Sequence, residues 1–262
     1  VSANQANPTS KAPEANQRGG GGSAHAARDA APAGSTRPTK SQPVGRFASH
    51  GSSIFTVLIA TMAVVLIISN IGASKGVTFG EIVTDGGFFL FPLAYIIGDV
   101  VSEIYGFKAS RLAIITTFAL SAFAAVCYWV IIALPGAEWY DGQEALERTL
   151  GPVPLIVIAS LLGFLTGQLA NAWTLVRLKR STGERLLFGR IALSTVIGEL
   201  VDTVVFCSIA AQVIGITDFG TFLNYVLVGF AIKTIVEICF SPITVLVIRT
   251  FKRLEPSYPK DV

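Results

Sequence analysis

Charge is scarce in this chain: Asp, Glu, Lys and Arg make up 14% of its 262 residues, against about 25% in an ordinary soluble domain. Histidine is scarcer still. The two present, His25 and His50, lie in or beside a polar N-terminal stretch, so no apolar segment holds an imidazole. That removes the usual base of a serine-type catalytic site, and the HExxH pair of a zinc protease is missing. The three cysteines, Cys127, Cys207 and Cys239, each stand alone in an apolar run with no CxxC spacing. They read as small buried hydrophobes rather than as zinc ligands or a dithiol. A Walker A loop is also absent, so the chain hydrolyses no ATP by that route. An enzyme built only from carboxylates stays open, and no cofactor is expected.

What is abundant is apolar surface, at 52% of residues, and it begins late. Residues 1–50 are rich in Ala, Pro, Gly, Ser and Asn and nearly devoid of large apolar side chains. Such a stretch cannot bury enough surface to offset its ordering entropy, so it reads as a disordered tail. It is no signal peptide, because its first apolar run starts near residue 54 and is too long. The tail holds Lys11, Arg18, Arg28, Arg37, Lys40 and Arg46 against Glu14 and Asp29, so the formal net charge of +3 comes from it. No aromatic interleaves with these cations until Phe47, which argues against nucleic acid as a partner.

Six long apolar runs follow, at 54–71, 88–105, 112–134, 155–176, 191–214 and 222–248. Each is roughly 18 to 27 residues, enough to cross a hydrocarbon core of about 30 Å as a helix. The fold expected is all-α: six transmembrane helices over 51–255, between the tail and a short cytoplasmic segment at 256–262. The loops alternate in charge. Lys108 and Arg111, the basic 177–190 loop, and Arg249, Lys252 and Arg253 fall on one side with Arg46. The 72–87, 135–153 and 215–221 loops are acidic or poor in cations. By the positive-inside rule both termini lie in the cytoplasm of a cell membrane.

Ionisable residues inside such helices cost roughly 2.5–3.5 kcal/mol each on insertion scales and mark function by default. Here they come in spaced pairs. Asp99 and Glu103 are four apart on the second helix, with Tyr95 and Ser102 extending the stripe. Glu199 and Asp202 share a face of the fifth with Thr195. Lys233 and Glu237 are four apart on the sixth, and Gln168 and Asn171 add a neutral pair on the fourth. At 1.5 Å per residue, Asp99, Gln168, Asp202 and Lys233 fall at about one depth, roughly 17–20 Å from the outer helix ends. The competing reading is an ion-pair network that only fixes packing. Five carboxylates to one lysine speak against it, because the excess must be protonated, solvated or paired with a ligand. For Glu103, near the inner helix end, the competing reading is that it serves no site and simply reaches water beside Lys108 or Arg111. Gly163 and Gly167 form a GxxxG pair for close helix approach. Gly98 and Gly198 make room beside Asp99 and Glu199 for a ligand or for a neighbouring helix.

The second helix carries a specific pattern. Phe91-Pro92, then Asp99, Glu103, Tyr105 and Gly106 resemble the FP-x(6)-D-x-x-x-E-x-Y/F-G signature of the queuosine precursor transporter family. The resemblance continues at Gly167-Gln168, at 194–206, and at Lys233, Glu237 and Pro242, covering roughly residues 50–255; the tail has no counterpart. It implies uptake of 7-deazaguanine precursors (preQ0/preQ1) for tRNA modification. It also implies kinship with the membrane subunits of energy-coupling-factor vitamin transporters, hence an external energy-coupling module as a candidate partner besides the lipid bilayer. The substrate-binding set on this reading is Tyr95, Asp99, Gln168, Asn171, Glu199, Asp202, Lys233 and Glu237. A guanine-like edge offers two parallel donors that one carboxylate can accept, here Glu199 or Asp202. Its O6 would take a donor from Lys233, Gln168 or Asn171. Tyr95, Phe206, Trp173 or Tyr225 would wall the ring. A transporter of another small polar solute, such as a vitamin or nucleobase, is the alternative.

Overall fold

The computed structural model describes residues 45–79, 82–87, 89–151, 154–213 and 215–259, and in it the apolar runs are helices. α1 spans Ser53–Gly72 and is capped by Ser52, whose hydroxyl accepts from the Ile54 amide, satisfying one of the four orphan donors of a helix start. α2 spans Phe91–Ala133 and carries proline in its first turn, where the missing N–H costs nothing. α3 is short, Gln143–Leu150. α4 spans Pro154–Thr182, α5 Leu187–Val213 and α6 Phe219–Leu254. Asp218 caps α6 by accepting from the Thr221 amide at 2.8 Å. α6 runs on through Pro242.

Five of these helices, α1, α2, α4, α5 and α6, are long and apolar enough to cross a membrane. α2 is not one straight rod. Gly106 sits at φ 80°, ψ 177°, a backbone conformation essentially confined to glycine. The Phe47 ring fills the space beside it, 3.1 Å from where a Cβ would stand. Before the break, α2 is buried without interruption from Ala94 to Gly106. A helix apolar on all sides belongs at the centre of a bundle, and Val100, Val101 and Ile104 there join Met62 and Leu66 of α1 and Phe164 and Leu175 of α4 in the core. The rest of α2 and the other helices turn large apolar residues outward, among them Val57, Phe123, Val130, Ile232, Ile235 and Leu246, as lipid contact requires.

The helix ends sort into two levels. At one, the Ala48 amide donates to the Ile104 carbonyl at 2.7 Å and the Ser52 hydroxyl to Glu255 at 2.6 Å. The start of α1, the break in α2 and the end of α6 therefore meet. At the other, Ile67 and Ile71 of α1, Tyr128 and Trp129 of α2, Thr149 of α3 and Val157 of α4 line one small cavity.

Three expectations change. The 72–87 connection is not irregular: β1 (Gly76–Phe79) pairs antiparallel with β2 (Ile82–Asp85), Val77 opposite Thr84, so the fold is helical with one hairpin rather than strictly all-α. Arg177, Lys179 and Arg180, placed by hydropathy in a loop, extend α4 by several residues, because cations suit the negative end of a helix. The C-terminal segment expected at 256–262 is not a free tail: Tyr258 is 7% exposed and packs on the bundle. The tail expected over 1–50 falls mostly on residues outside those described, but Phe47 and Ala48 pack against α2.

Candidate functional site

The site begins with missing side chains. A Cβ on Gly163 would stand 2.5 Å from Asp202 Oδ1, and one on Gly167 would stand 2.6 Å from Asp202 Cβ and 2.9 Å from the Gly198 carbonyl oxygen. The GxxxG face of α4 is thus a seat for the Asp202 side chain of α5, and Gly198 lets α5 close against Asn171 in return. Lys233 of α6 donates to Asp202 Oδ2 at 2.5 Å. Its ammonium also lies over Phe91 at 5.2 Å and Phe206 at 5.7 Å, so two aromatic faces and one carboxylate hold the cation.

The α2 side is built in the same way. A Cβ on Gly98 would meet Gln168 Oε1 at 2.5 Å, so the glutamine amide lies directly against the bare backbone of α2. Three residues further along α4, the Asn171 amide donates to Asp99 at 2.7 Å. Glu199 of α5 is fully buried. The charges of Asp202, Glu199 and Glu237 all bear on the Tyr95 hydroxyl, and those of Glu199, Asp99, Lys233 and Asp202 on Glu237. All eight predicted residues therefore converge, from α2, α4, α5 and α6. Lys233 is the most open of them, its side chain 34% exposed.

Partners are unevenly distributed. Both oxygens of Glu199, both amide atoms of Gln168, Asn171 Oδ1, Glu237 Oε1 and the Tyr95 hydroxyl are buried without a well-formed hydrogen bond among the described residues, although the Tyr95 hydroxyl lies beside the Glu199 carboxylate. Leaving a buried polar group unsatisfied costs about 1–3 kcal/mol, so packing alone does not account for a cluster of this size. Of the four proposed wall aromatics, Phe206 and Tyr95 reach the site. Trp173 is 53% exposed and stacks under Arg177 at 5.4 Å, so it is no wall.

Glu103 does not reach water beside Lys108 or Arg111. It is fully buried and accepts from Arg190 and Lys252, each at 2.7 Å. Lys179 lies 3.4 Å from it and donates to its backbone carbonyl at 2.6 Å. Lys252 also binds Glu184 at 2.5 Å, and the Tyr258 hydroxyl donates to Glu184 at 2.8 Å. This clasp ties α2, α4, α5, α6 and the C-terminal segment together one helical turn from Asp99. Burial works to raise the Glu184 carboxyl, but the Lys252 hydrogen bond and the charges of Lys179 and Lys252 hold it down at about 2. Glu255 is likewise held at about 2, where burial is outweighed by hydrogen bonds from Ser257, Ser52 and Tyr105. Sequence reading took Lys179, Glu184, Arg190 and Lys252 only as orientation signals. The available hint was that Glu103, on a helix buried all round, needs cations from its neighbours.

A helical bundle with apolar sides turned outward and a carboxylate-rich centre defines a multi-pass membrane protein with an internal polar site. Residues 85–247 match the family described as "Putative vitamin uptake transporter", and the chain belongs to that family of membrane transporters. It is also 27% identical over 171 residues to the "Probable queuosine precursor transporter" of Bacillus subtilis (strain 168), an alignment covering 64% of this chain and 74% of that protein. No solved structure matches it.

Proposed function

We propose that the chain imports a 7-deazaguanine precursor, and that Glu199 accepts the two parallel N–H donors of its guanine-like edge. The carrying observation is the buried Glu199 carboxylate, which has the Tyr95 hydroxyl beside it but neither oxygen in a well-formed hydrogen bond among the described residues. Asp202, the other candidate, is already engaged by Lys233, which favours Glu199 for the base and gives Asp202 the work of holding Lys233. Gln168 offers an amide donor for O6, and its oxygen and Asn171 Oδ1 accept further base N–H groups. Tyr95 and Phe206 flank the ring. Glu237 suits the aminomethyl cation of the later precursor, and Asp99, oriented by Asn171, completes the polar wall.

On this reading α2 crosses twice, once before Gly106 and once after, giving six crossings. The segment before the break, at 1.5 Å per residue, is only about 22 Å long, which suits a central helix shielded by its neighbours. The end bearing the Glu103 clasp and both described chain ends faces the cytoplasm, since cations collect there.

The test is uptake of radiolabelled precursor in cells that cannot make it and lack this protein. Glu199→Gln should cut uptake about tenfold or more, the scale of a lost charge-assisted hydrogen bond, at unchanged membrane abundance. Near-normal uptake by that variant would refute the role. A vitamin as cargo is the second reading, favoured by the family's description; it wins if unlabelled 7-deazaguanine fails to compete.

A further inference from the structure

The end of the bundle where α1 begins and α6 finishes carries a second cavity, of about 410 Å³, lined by Arg46, Glu184, Arg249, Lys252, Arg253 and Tyr258. It is separate from the polar centre and none of the eight site residues lines it. Among the described residues its one carboxylate, Glu184, is already bound to Lys252 and Tyr258, and Lys252 is held by Glu103 as well, so Arg249 and Arg253 are the cations left to meet a ligand. Arg249 and Arg253 are four apart on α6, one turn above each other on one face, and among the described residues neither forms an ion pair. Tyr258 makes a rigid wall: it is nearly buried, and Lys179 and Lys252 lie over its ring at 5.1 and 5.2 Å.

We propose that this cavity binds a phosphate-bearing anion at the membrane surface. The chemistry points to phosphate because two guanidiniums on one helix face offer paired N–H forks to its oxygens. The backbone does not help here. A helix C-terminus is the negative end of the dipole, so recognition falls to the side chains alone. The last turns of a crossing helix lie at headgroup depth, which makes an anionic phospholipid one source and free phosphate the other. Against one water's share of about 30 Å³, the cavity has room for a headgroup.

The test uses the full chain in neutral detergent, titrated with phosphatidylglycerol or phosphatidylcholine and read by native mass spectrometry. One phosphatidylglycerol should bind per chain, saturably and in preference to phosphatidylcholine. Arg249→Gln with Arg253→Gln should weaken it about tenfold or more. The control, Lys108→Gln with Arg111→Gln, removes the same charge from exposed positions just past the α2 break and should leave binding within about twofold. Displacement of the lipid by inorganic phosphate would make the phosphate group itself the ligand; persistence of the lipid would assign the site to lipid. Equal losses in both double variants, or no saturable binding of either probe, would overturn the site. Uptake is not the readout, so the result stands apart from the identity of the cargo.

Discussion

A lysine ammonium inside a bilayer gains its keep only from the charges and rings placed around it, and at Lys233 those are Asp202, Phe91 and Phe206. Removing one member of a largely buried pair leaves the other uncompensated, at a cost of up to about 3–5 kcal/mol where burial is complete, whereas replacing both is often close to neutral. Lys233→Met should therefore lower thermal stability more than the double variant Lys233→Met/Asp202→Asn, and a double-mutant cycle by thermal unfolding in detergent measures the difference. If the double variant is no more stable than the single, the pair does not support the fold. At this scale the sequence was unusually legible. A charge in an apolar run is conspicuous, and helical spacing put Asp99, Gln168, Asp202 and Lys233 at one depth. What spacing could not show was partnership. Glu199 and Asp202 are equivalent as letters, and only the reach of Lys233 separates the engaged carboxylate from the open one. The clasp around Glu103 was missed for the same reason, since its cations lie 76 to 149 residues away in the chain.

Between helices, the glycines decide how closely backbone approaches backbone. At Gly167 and Gly198 an added methyl would meet backbone or Cβ atoms within 3 Å, which cannot swing aside. Overpacking of that kind costs about 1–3 kcal/mol. At Gly229 the nearest atom is the Thr203 methyl at 3.6 Å, an ordinary contact. Gly167→Ala and Gly198→Ala should therefore lower the melting temperature by several degrees, while Gly229→Ala leaves it unchanged or slightly higher through helix propensity. Equal effects at all three positions would show that the α4–α5 approach is not tight. Gly98 differs again: the atom in the way is the end of the Gln168 side chain. The GxxxG spacing announced a close pair in the sequence, but not that its cargo was a carboxylate. The break at Gly106 falls in the gap between the apolar runs at 88–105 and 112–134, though nothing marked the glycine itself as its pivot. Glycine is common in membrane helices, and hydropathy separated the two halves of α2 only through Lys108 and Arg111. The hairpin escaped because four-residue strands carry too little periodicity to detect.

Across the whole molecule, the clasp and the Glu255 cluster close one end of the bundle, and both depend on carboxylates held at about 2. A carboxyl depressed from its ordinary 4.5 contributes stability above that value, and the contribution fades as pH falls from about 4.5 towards 2. Thermal stability should decline over that window, and Glu184→Gln should flatten part of the decline; an unchanged acid profile would mean that the clasp adds nothing to the fold. The same end bears on the proposed topology. Ser52 of the α1 cap bonds Glu255 beyond α6, so the two lie at one level, and an even number of crossings must separate them. Five helices pass the length and hydropathy test; on the topology proposed above, a sixth crossing comes from α2 turning back at Gly106. Charge alternation along the sequence favours the same even count, because insertion reads Lys and Arg in short loops. The decisive pair of positions is Lys75, between α1 and α2, and Ala137, between α2 and α3. If α2 crosses once they face opposite compartments; if it crosses twice they share one. With Cys127, Cys207 and Cys239 replaced by serine or alanine, Lys75→Cys and Ala137→Cys should both react with an impermeant thiol reagent applied to intact cells. His50→Cys and Pro256→Cys should react only after the membrane is opened. Labelling of Lys75→Cys without Ala137→Cys would reduce the count to five and set the two chain ends on opposite faces, against the hydrogen bond that joins them.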